Sequence, residues 1–80
     1  MKRYNKIGQV LVKQDKTNRW LARQLDVTET TVSRWVHNNQ QPTIQMLFKI
    51  GSVLGVEARN LLVRMKEIEQ LPNDEEGGNA

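Results

Sequence analysis

The stretch that decides the fold covers residues 17–42 and reads TNRWLARQLDVTETTVSRWVHNNQQP. Thr17 and Thr28 each precede apolar residues with helical spacing, and threonine is a preferred residue at a helix N-terminus. The two helices that this pattern predicts are separated only by a tight turn. Ala22 is small where the helices must approach each other, and Val27 is an apolar residue that can fill the gap inside the turn. The sequence therefore predicts two short helices that pack against each other across this turn.

Three further helices are predicted over residues 5–14, 44–54 and 57–70. In each, residues recur three or four positions apart and would form one stripe along a helix. The stripes are Ile7, Val10 and Leu11 in the first helix, Ile44, Leu47, Gly51 and Leu54 in the fourth, and Leu61, Leu62, Met65 and Ile68 in the fifth. Thr43 supplies another N-cap, and Gly55 fits the end of the fourth helix. We therefore expect a compact all-α domain of five helices over residues 1–71.

The charge of the chain is unevenly distributed. Residues 1–25 carry seven bases and one acid, whereas residues 70–80 carry three acids and no base. Residues 72–80 offer no apolar side chain worth burying, and their proline and glycines oppose a helix, so we expect a disordered acidic tail there. The basic half favours a polyanionic partner, with nucleic acid the first candidate, although charge alone is equally consistent with solubility.

The composition argues against several classes of function. The 80 residues include no cysteine and one histidine, which excludes a disulfide framework and leaves no basis for a zinc site or a catalytic triad. No apolar run approaches the ~20 residues that span a bilayer, and no apolar block of a signal peptide follows the basic N-terminus. We therefore expect a cytoplasmic protein that is not an enzyme, with no metal, cofactor, membrane contact or small-molecule ligand.

The sequence resembles the lambda-repressor-like family of Cro/Xre-type helix-turn-helix proteins over residues 7–62. The matching pieces are Leu21-Ala22, Leu25-Asp26-Val27-Thr28, Val32-Ser33-Arg34-Trp35, Asn38 through Pro42, and Leu47 to Leu54 with Val56. The resemblance implies a five-helix DNA-binding domain with the helix-turn-helix at helices 2 and 3, and with helix 3 in the major groove of double-stranded DNA. The implied function is a sequence-specific transcriptional regulator, a repressor that reads a palindromic operator.

The resemblance also implies which residues contact the bases. These residues lie in the N-terminal half of the third helix and are Glu29, Thr30, Ser33 and Arg34. The planar guanidinium group of Arg34 matches guanine O6 and N7, and the Glu29 carboxylate can accept a hydrogen bond from cytosine N4. Thr30 can form a hydrogen bond with a base or touch a thymine methyl group. Two alternatives remain open: Arg34 as a solvated surface charge, and Glu29 as a charge that favours the helix dipole.

Candidate phosphate contacts lie around the rim of the motif, where hydroxyl, amide and guanidinium groups can donate hydrogen bonds. They are Thr17, Asn18, Arg19, Arg23, Asn39, Gln40, Gln41 and Thr43. Asn38 stands where the family has glycine, and we expect it to end the third helix in the left-handed conformation. Lys2, Arg3 and Lys6 form either an arm along the DNA backbone or a solvated terminus.

Three departures from the family pattern lead to further expectations. Asp26 replaces the glycine of the turn, and aspartate tolerates the left-handed conformation better than most residues do. Leu11 and Val36 replace a buried arginine–glutamate pair, and we expect them to touch. Trp20 occupies a position that is usually polar, and we expect it to lie over Lys16, with stacking on a base as the alternative.

The predicted fourth and fifth helices carry more apolar residues than one small core can bury. This excess favours a homodimer. The candidate interface residues are Met46, Ile50, Val53, Met65, Ile68 and Leu71. A two-fold dimer would place two third helices in major grooves about one turn apart. The alternative is a monomer whose fifth helix covers this surface. Two other functions remain open: an antitoxin or accessory subunit with secondary DNA binding, and an interaction module that has lost DNA binding.

Overall fold

A computed structural model of the chain describes residues 3–68, which form α-helices and short 3₁₀ turns. The elements in chain order are α1 (Ile7–Lys13), α2 (Asn18–Leu25), α3 (Glu29–Val36), α4 (Ile44–Leu54), a first 3₁₀ turn (Ala58–Leu61) and a second 3₁₀ turn (Met65–Glu67). The predicted all-α class is confirmed, since residues 3–68 contain no β-strand. The predicted acidic tail, residues 72–80, lies outside the described residues.

Threonine side chains begin three of the helices, as the sequence predicts. The hydroxyl oxygens of Thr17, Thr28 and Thr43 accept hydrogen bonds from the backbone N–H groups of Trp20, Thr31 and Met46 at 3.0, 3.1 and 3.1 Å. Each bond satisfies an N–H group that has no partner inside its helix. These caps fix where α2, α3 and α4 begin.

All four helices end in the same way. The residues Asp15, Asp26, Asn38 and Gly55 have positive φ values of 60, 57, 60 and 70°. In each case the next residue's N–H bonds back to a carbonyl five positions earlier, as Lys16 does to Leu11 at 2.8 Å and Val56 does to Gly51 at 2.9 Å. This is the Schellman pattern, which usually places glycine at the left-handed position. Only one of the four positions has glycine here.

The core is formed by one face of each helix and by the first 3₁₀ turn. Its buried residues are Ile7, Leu11, Leu21, Ala22, Val32, Trp35, Leu47, Ile50, Leu54 and Leu61. The most extensive helix–helix contact joins α2 and α3. Burial of these side chains therefore fixes the two helices of the predicted motif against each other.

The predicted stripe of α4 is wrong at one position. Ile44 is 74% exposed, whereas Ile50 is fully buried. The buried face consists of Leu47, Ile50, Gly51 and Leu54, which keeps the spacing of three and four residues. Ile44 begins α4 one turn before the first buried residue of that helix, so its side chain remains in solvent.

The fifth α-helix predicted over residues 57–70 is not formed within the described residues. Leu62 is extended, with φ −108° and ψ 146°, and makes an isolated antiparallel bridge with Asn5. The Lys6 N–H donates to the Leu61 carbonyl at 2.8 Å, and the Val63 N–H donates to the Tyr4 carbonyl at 2.9 Å. These long-range bonds replace the helical ladder and also delay the start of α1 from residue 5 to Ile7.

The interhelix contact around Val36 uses a glycine of α1. An added Cβ at Gly8 would lie 2.8 Å from Val36 Cγ1, so the valine sits directly on the glycine backbone. Leu11 is buried, and Val36 is half-buried against the core. Both side chains therefore face inward, as expected for residues that replace an ion pair, and their direct contact stays a prediction.

Gly51 permits the backbone after α4 to cross close to the helix. A Cβ at this position would lie 2.7 Å from the Val56 carbonyl oxygen and 3.3 Å from the Ala58 nitrogen.

We predict that Gly51→Ala destabilises the fold by about 1–3 kcal/mol despite alanine's better helix propensity, because backbone atoms must move. Thermal unfolding measures the change. Ser52→Ala, at an exposed neighbour, should change stability by less than about 0.5 kcal/mol. Equal stability of Gly51→Ala and the wild type would contradict this packing.

Within residues 3–68, every helix is too short or too polar to cross a bilayer.

Candidate nucleic-acid interface

One face of α3 carries all four residues predicted to contact bases. Val32 and Trp35 are buried against the core, so the opposite face points to solvent. Glu29, Thr30 and Arg34 are exposed and Ser33 is half-buried. The spacings from 29 to 33, from 30 to 33 and from 30 to 34 are three or four residues, so these side chains are neighbours on the helix surface. We call this set the α3 row.

The turn between α2 and α3 has the geometry that the sequence predicts. Asp26 is left-handed, with φ 57° and ψ 46°, and it is exposed. The Val27 N–H donates to the Ala22 carbonyl at 3.0 Å, and the Val27 side chain packs partly against the core. Aspartate therefore supports the turn without glycine, at the steric cost of a left-handed residue that carries a Cβ.

We predict that Asp26→Gly stabilises the fold by up to about 1 kcal/mol, because glycine removes the left-handed strain at a modest cost in chain entropy. Asp26→Ala should have the opposite sign, since alanine keeps the Cβ and lacks the polar side chain that eases this conformation. Thermal and urea unfolding of both variants measure the difference. A less stable Asp26→Gly variant would show that the carboxylate has a role that the backbone geometry does not reveal.

The first helix of the motif, α2, presents polar groups at its start and along its exposed side. Arg19 and Arg23 are exposed, and Asn18 is half-buried. The Thr17 hydroxyl accepts from the Trp20 N–H, which leaves its own proton to donate. As predicted, the Lys16 ammonium lies over the Trp20 ring, 4.6 Å from its centroid. The tryptophan is also half-buried against the core, so the lysine contact and the core together occupy the ring that base stacking would need.

A buried amide network holds the loop that follows α3. Asn38 has φ 60°, which confirms the predicted left-handed residue, and its side chain is only 8% exposed. The Asn38 Oδ1 accepts from the backbone N–H groups of Tyr4 and Asn5 at 2.8 and 2.9 Å. The Asn38 Nδ2 donates to the Asn5 carbonyl at 3.1 Å. Asn38 therefore joins the end of α3 to the segment that precedes α1.

Asn5 completes this network from the other side. Its side chain is 1% exposed, and its Nδ2 donates to the Trp35 carbonyl at 3.0 Å and to Gln41 Oε1 at 2.7 Å. Its Oδ1 accepts from the Ile7 N–H at 3.0 Å, which satisfies a free donor at the start of α1. This role was not predicted from the sequence. Periodicity does not reveal it, because the partners Trp35, Asn38 and Gln41 lie 30 or more residues away.

The loop side chains predicted to contact phosphate fall into two groups. All four are exposed, and Asn39, Gln40 and Thr43 form the first group. Gln41 is already bound within the protein, since its Oε1 accepts from Asn5 and its Nε2 donates to Asn38 Oδ1 at 3.2 Å. Gln41 thus braces the loop from which the first three side chains extend.

His37 contacts the α3 row from the end of the helix. Its Nδ1 lies 2.9 Å from the Ser33 carbonyl oxygen and 3.4 Å from the Ser33 Oγ. A hydrogen bond to the carbonyl requires the proton on Nδ1. The histidine is exposed.

The residues predicted to form a dimer interface do not share one environment. Ile50 is wrong for this role, because it is fully buried in the core of one chain. Met46 and Val53 are half-buried against that core, Met65 is 76% exposed and Ile68 is half-buried. Leu71 lies outside the described residues. Met65 therefore offers the largest free apolar side chain of the predicted set within residues 3–68.

Comparison with known proteins identifies the family. A family model of the helix-turn-helix type matches residues 7–61, which include α1 to α4 and the first 3₁₀ turn. The chain belongs to the helix-turn-helix family of the Cro/C1 type. This helix-turn-helix membership supports double-stranded DNA as the partner and a regulator of transcription as the class of protein.

Solved structures agree with this family. A crystal structure of a Bacteroides fragilis protein with a provisional DNA-binding assignment is 44% identical, with a TM-score of 0.73, and the match covers 74% of this chain and 95% of that chain. A Neisseria protein named as a hypothetical transcription factor is 26% identical, with a TM-score of 0.67, and the match covers 78% of this chain and 71% of that chain. A comparison of the helix-turn-helix chain with curated proteins found no match.

Proposed function

We propose that this protein is a repressor that binds a palindromic DNA operator as a homodimer and reads its sequence with the α3 row. One observation carries the proposal: the four side chains of the row share the solvent-facing side of a helix whose other side is anchored in the core. A rigidly held helix with exposed donors and acceptors fits the major groove, where each base pair has a distinct pattern.

Each residue of the α3 row has a separate role in this proposal. Arg34 donates two hydrogen bonds to guanine O6 and N7, and Glu29 accepts from a cytosine amine. Thr30 contacts a thymine methyl group or a base edge. Ser33 bonds a base or an adjacent phosphate, with its hydroxyl rotation limited by His37, whose Nδ1 lies 3.4 Å from the Ser33 Oγ.

Phosphate contacts flank the row on two sides. They come from the beginning and exposed side of α2 and from the loop before α4, and the residues are Thr17, Asn18, Arg19, Arg23, Asn39, Gln40 and Thr43. Arg19 and Arg23 supply the charge that makes binding depend on salt, whereas the neutral donors set the register of the protein on the duplex. Gln41 also braces the loop, and it is a further proposed phosphate contact because its side chain is exposed and its Nε2 has a second proton to donate.

Homodimerisation supplies the second half of the operator contact. Two copies related by a two-fold axis present two α3 rows to successive major grooves, which is the geometry that a palindrome matches. Met46, Val53, Met65 and Ile68 remain the proposed interface among the described residues. Bound in this way, the protein represses by occupying the operator and needs no contact with the transcription machinery.

We predict that Met65→Glu weakens the dimer about tenfold or more, because a charge would replace a desolvated apolar contact. Val12→Glu is the matched control, since Val12 is 80% exposed and lies outside the proposed interface. Sedimentation at high micromolar concentration measures both variants beside the wild type. A wild type that sediments only as the 9.3 kDa monomer would contradict the homodimer.

Selection from a pool of random duplexes at two salt concentrations tests the proposed function. We expect an enriched palindrome whose half-sites are one helical turn apart. Binding without an enriched sequence would contradict sequence-specific reading. That result would favour the antitoxin or accessory-subunit function, for which the exposed Met65 is the supporting observation.

A further inference from the structure

A groove lined in part by α1 contains apolar and basic residues that are not among the proposed DNA contacts. Its volume is about 750 Å³, and the described residues that line it come from the N-terminal segment, α1 and the chain after α4. Within residues 3–68, the lining includes no residue of α2, of α3 or of the loop between α3 and α4. The groove is therefore distinct from the surface proposed to contact DNA.

The lining combines apolar surface with positive charge. Three half-buried valines, at positions 10, 56 and 63, contribute the apolar part. Arg3, Lys6 and Lys13 contribute three bases. Glu67 is the one acid of the described lining, and its carboxylate accepts a hydrogen bond from the Arg64 backbone N–H at 2.7 Å. The groove thus has a charge of +2 and fits an extended peptide with acidic residues and an apolar side chain.

The sequence that follows the described residues has this composition. The structure describes the chain up to Ile68, directly after Glu67 of the groove. Residues 69–80 contain one large apolar residue, Leu71, and four acids, Glu69 and residues 74–76. The six residues 69–74 can span at most roughly 20 Å. The segment between Lys6 and Lys13 is about 10 Å long. The span is therefore long enough for residues 74–76 to approach Lys6 and Lys13.

We propose that residues 69–80 of the same chain dock in this groove, with Leu71 against the valines and residues 74–76 beside Arg3, Lys6 and Lys13. Each ion pair on such a surface is weak and screened by salt. The tether compensates for this weakness, because it keeps the segment at a high effective concentration next to the groove. The proposal does not depend on DNA binding.

A spin label at the end of the chain tests this docking in the full-length protein. The sequence has no cysteine, so Asn79→Cys allows a nitroxide to be attached at one site. At low salt we expect the label to broaden the amide NMR signals of Gln9, Val10 and Asn60 at least twice as strongly as those of Thr30 and Arg34. The preference should disappear in Lys6→Gln/Lys13→Gln and persist in Lys6→Arg/Lys13→Arg.

A matched control removes two bases from elsewhere on the surface. Lys49→Gln/Arg59→Gln loses the same charge outside the groove, and the preferential broadening should persist in this variant. Equal broadening of the groove and α3, or a preference that survives Lys6→Gln/Lys13→Gln, would overturn the proposal. Broadening of isotope-labelled chains by spin-labelled chains in a mixture would show that the occupant is a second copy, which also overturns it.

Discussion

Asn5→Ala should destabilise the folded chain by about 2–4 kcal/mol, because it leaves several buried polar groups without partners and each such group costs about 1–3 kcal/mol. The Trp35 carbonyl would lose a donor, the Ile7 N–H would lose its acceptor, and Gln41 would lose a partner in the loop. A loss of this size lowers the melting temperature of a small domain by roughly 10–25 °C. Thermal and urea unfolding measure it.

Asn39→Ala is the control for this prediction, since Asn39 is an exposed asparagine in the same loop and its replacement should cost less than about 0.5 kcal/mol. Asn38→Gly separates the network from backbone strain. Glycine relieves the positive φ of this position, yet the variant should be less stable, because the N–H groups of Tyr4 and Asn5 lose their acceptor. A wild-type melting temperature for Asn5→Ala would show that the network adds nothing to stability.

Arg34→Ala should weaken binding to the selected operator by about 1–3 kcal/mol for each half-site contact, so each of the two half-sites of a dimer should raise Kd by a factor of about 5 to 150. The reason is that the alanine variant lacks the two hydrogen bonds that Arg34 donates to one base. Against duplexes with a substituted base at that position, the variant and the wild type should bind alike. Equilibrium binding to the operator and to each substituted duplex measures the effect.

The control for this prediction is Arg59→Ala, which removes the same charge from an exposed arginine in the first 3₁₀ turn. We expect it to change Kd by less than about threefold, because a distant charge acts only through the screened field. The dependence of Kd on salt should be similar in the two variants, since a base contact releases no phosphate counterion. Equal losses of affinity would show that Arg34 acts only through its charge.

Local signals in the sequence were sufficient for the motif. The caps at Thr17, Thr28 and Thr43 were correctly predicted because a cap depends only on residues of its own first turn. The left-handed conformations of Asp26 and Asn38 were expected because the family has glycine at both positions, where a helix ends. The contact of Lys16 with Trp20 was predictable because the two residues are four apart and adjacent to a helix start.

Long-range pairing explains where the sequence predictions failed. Leu61, Leu62, Met65 and Ile68 have helical spacing, but the backbone of residues 61–63 bonds to residues 4–6 instead. The choice between the two arrangements depends on partners more than 50 residues away, which periodicity does not reveal. Ile50 was misplaced on the surface for a related reason, since the spacing allows two neighbouring stripes on α4 and only the packed core selects one.

The α3 row itself could be placed from the sequence, whereas its support could not. The resemblance to the family implied these four residues, and the structure agrees with it in that Val32 and Trp35 bury the other side of the helix. The amide network of Asn5, Asn38 and Gln41 holds the loop beside that row, and only the three-dimensional structure brings these residues together. Polar side chains that are buried for structural reasons carry no periodic signal.

The most direct test of the central claim, that the α3 row reads DNA bases, is a parallel selection from random duplexes with the wild type and Arg34→Ala. We predict an enriched palindrome for the wild type and, for the variant, the same palindrome with specificity lost at one guanine–cytosine pair in each half-site. Identical enriched sequences for the two proteins would contradict the claim, because they would show that the Arg34 side chain reads no base.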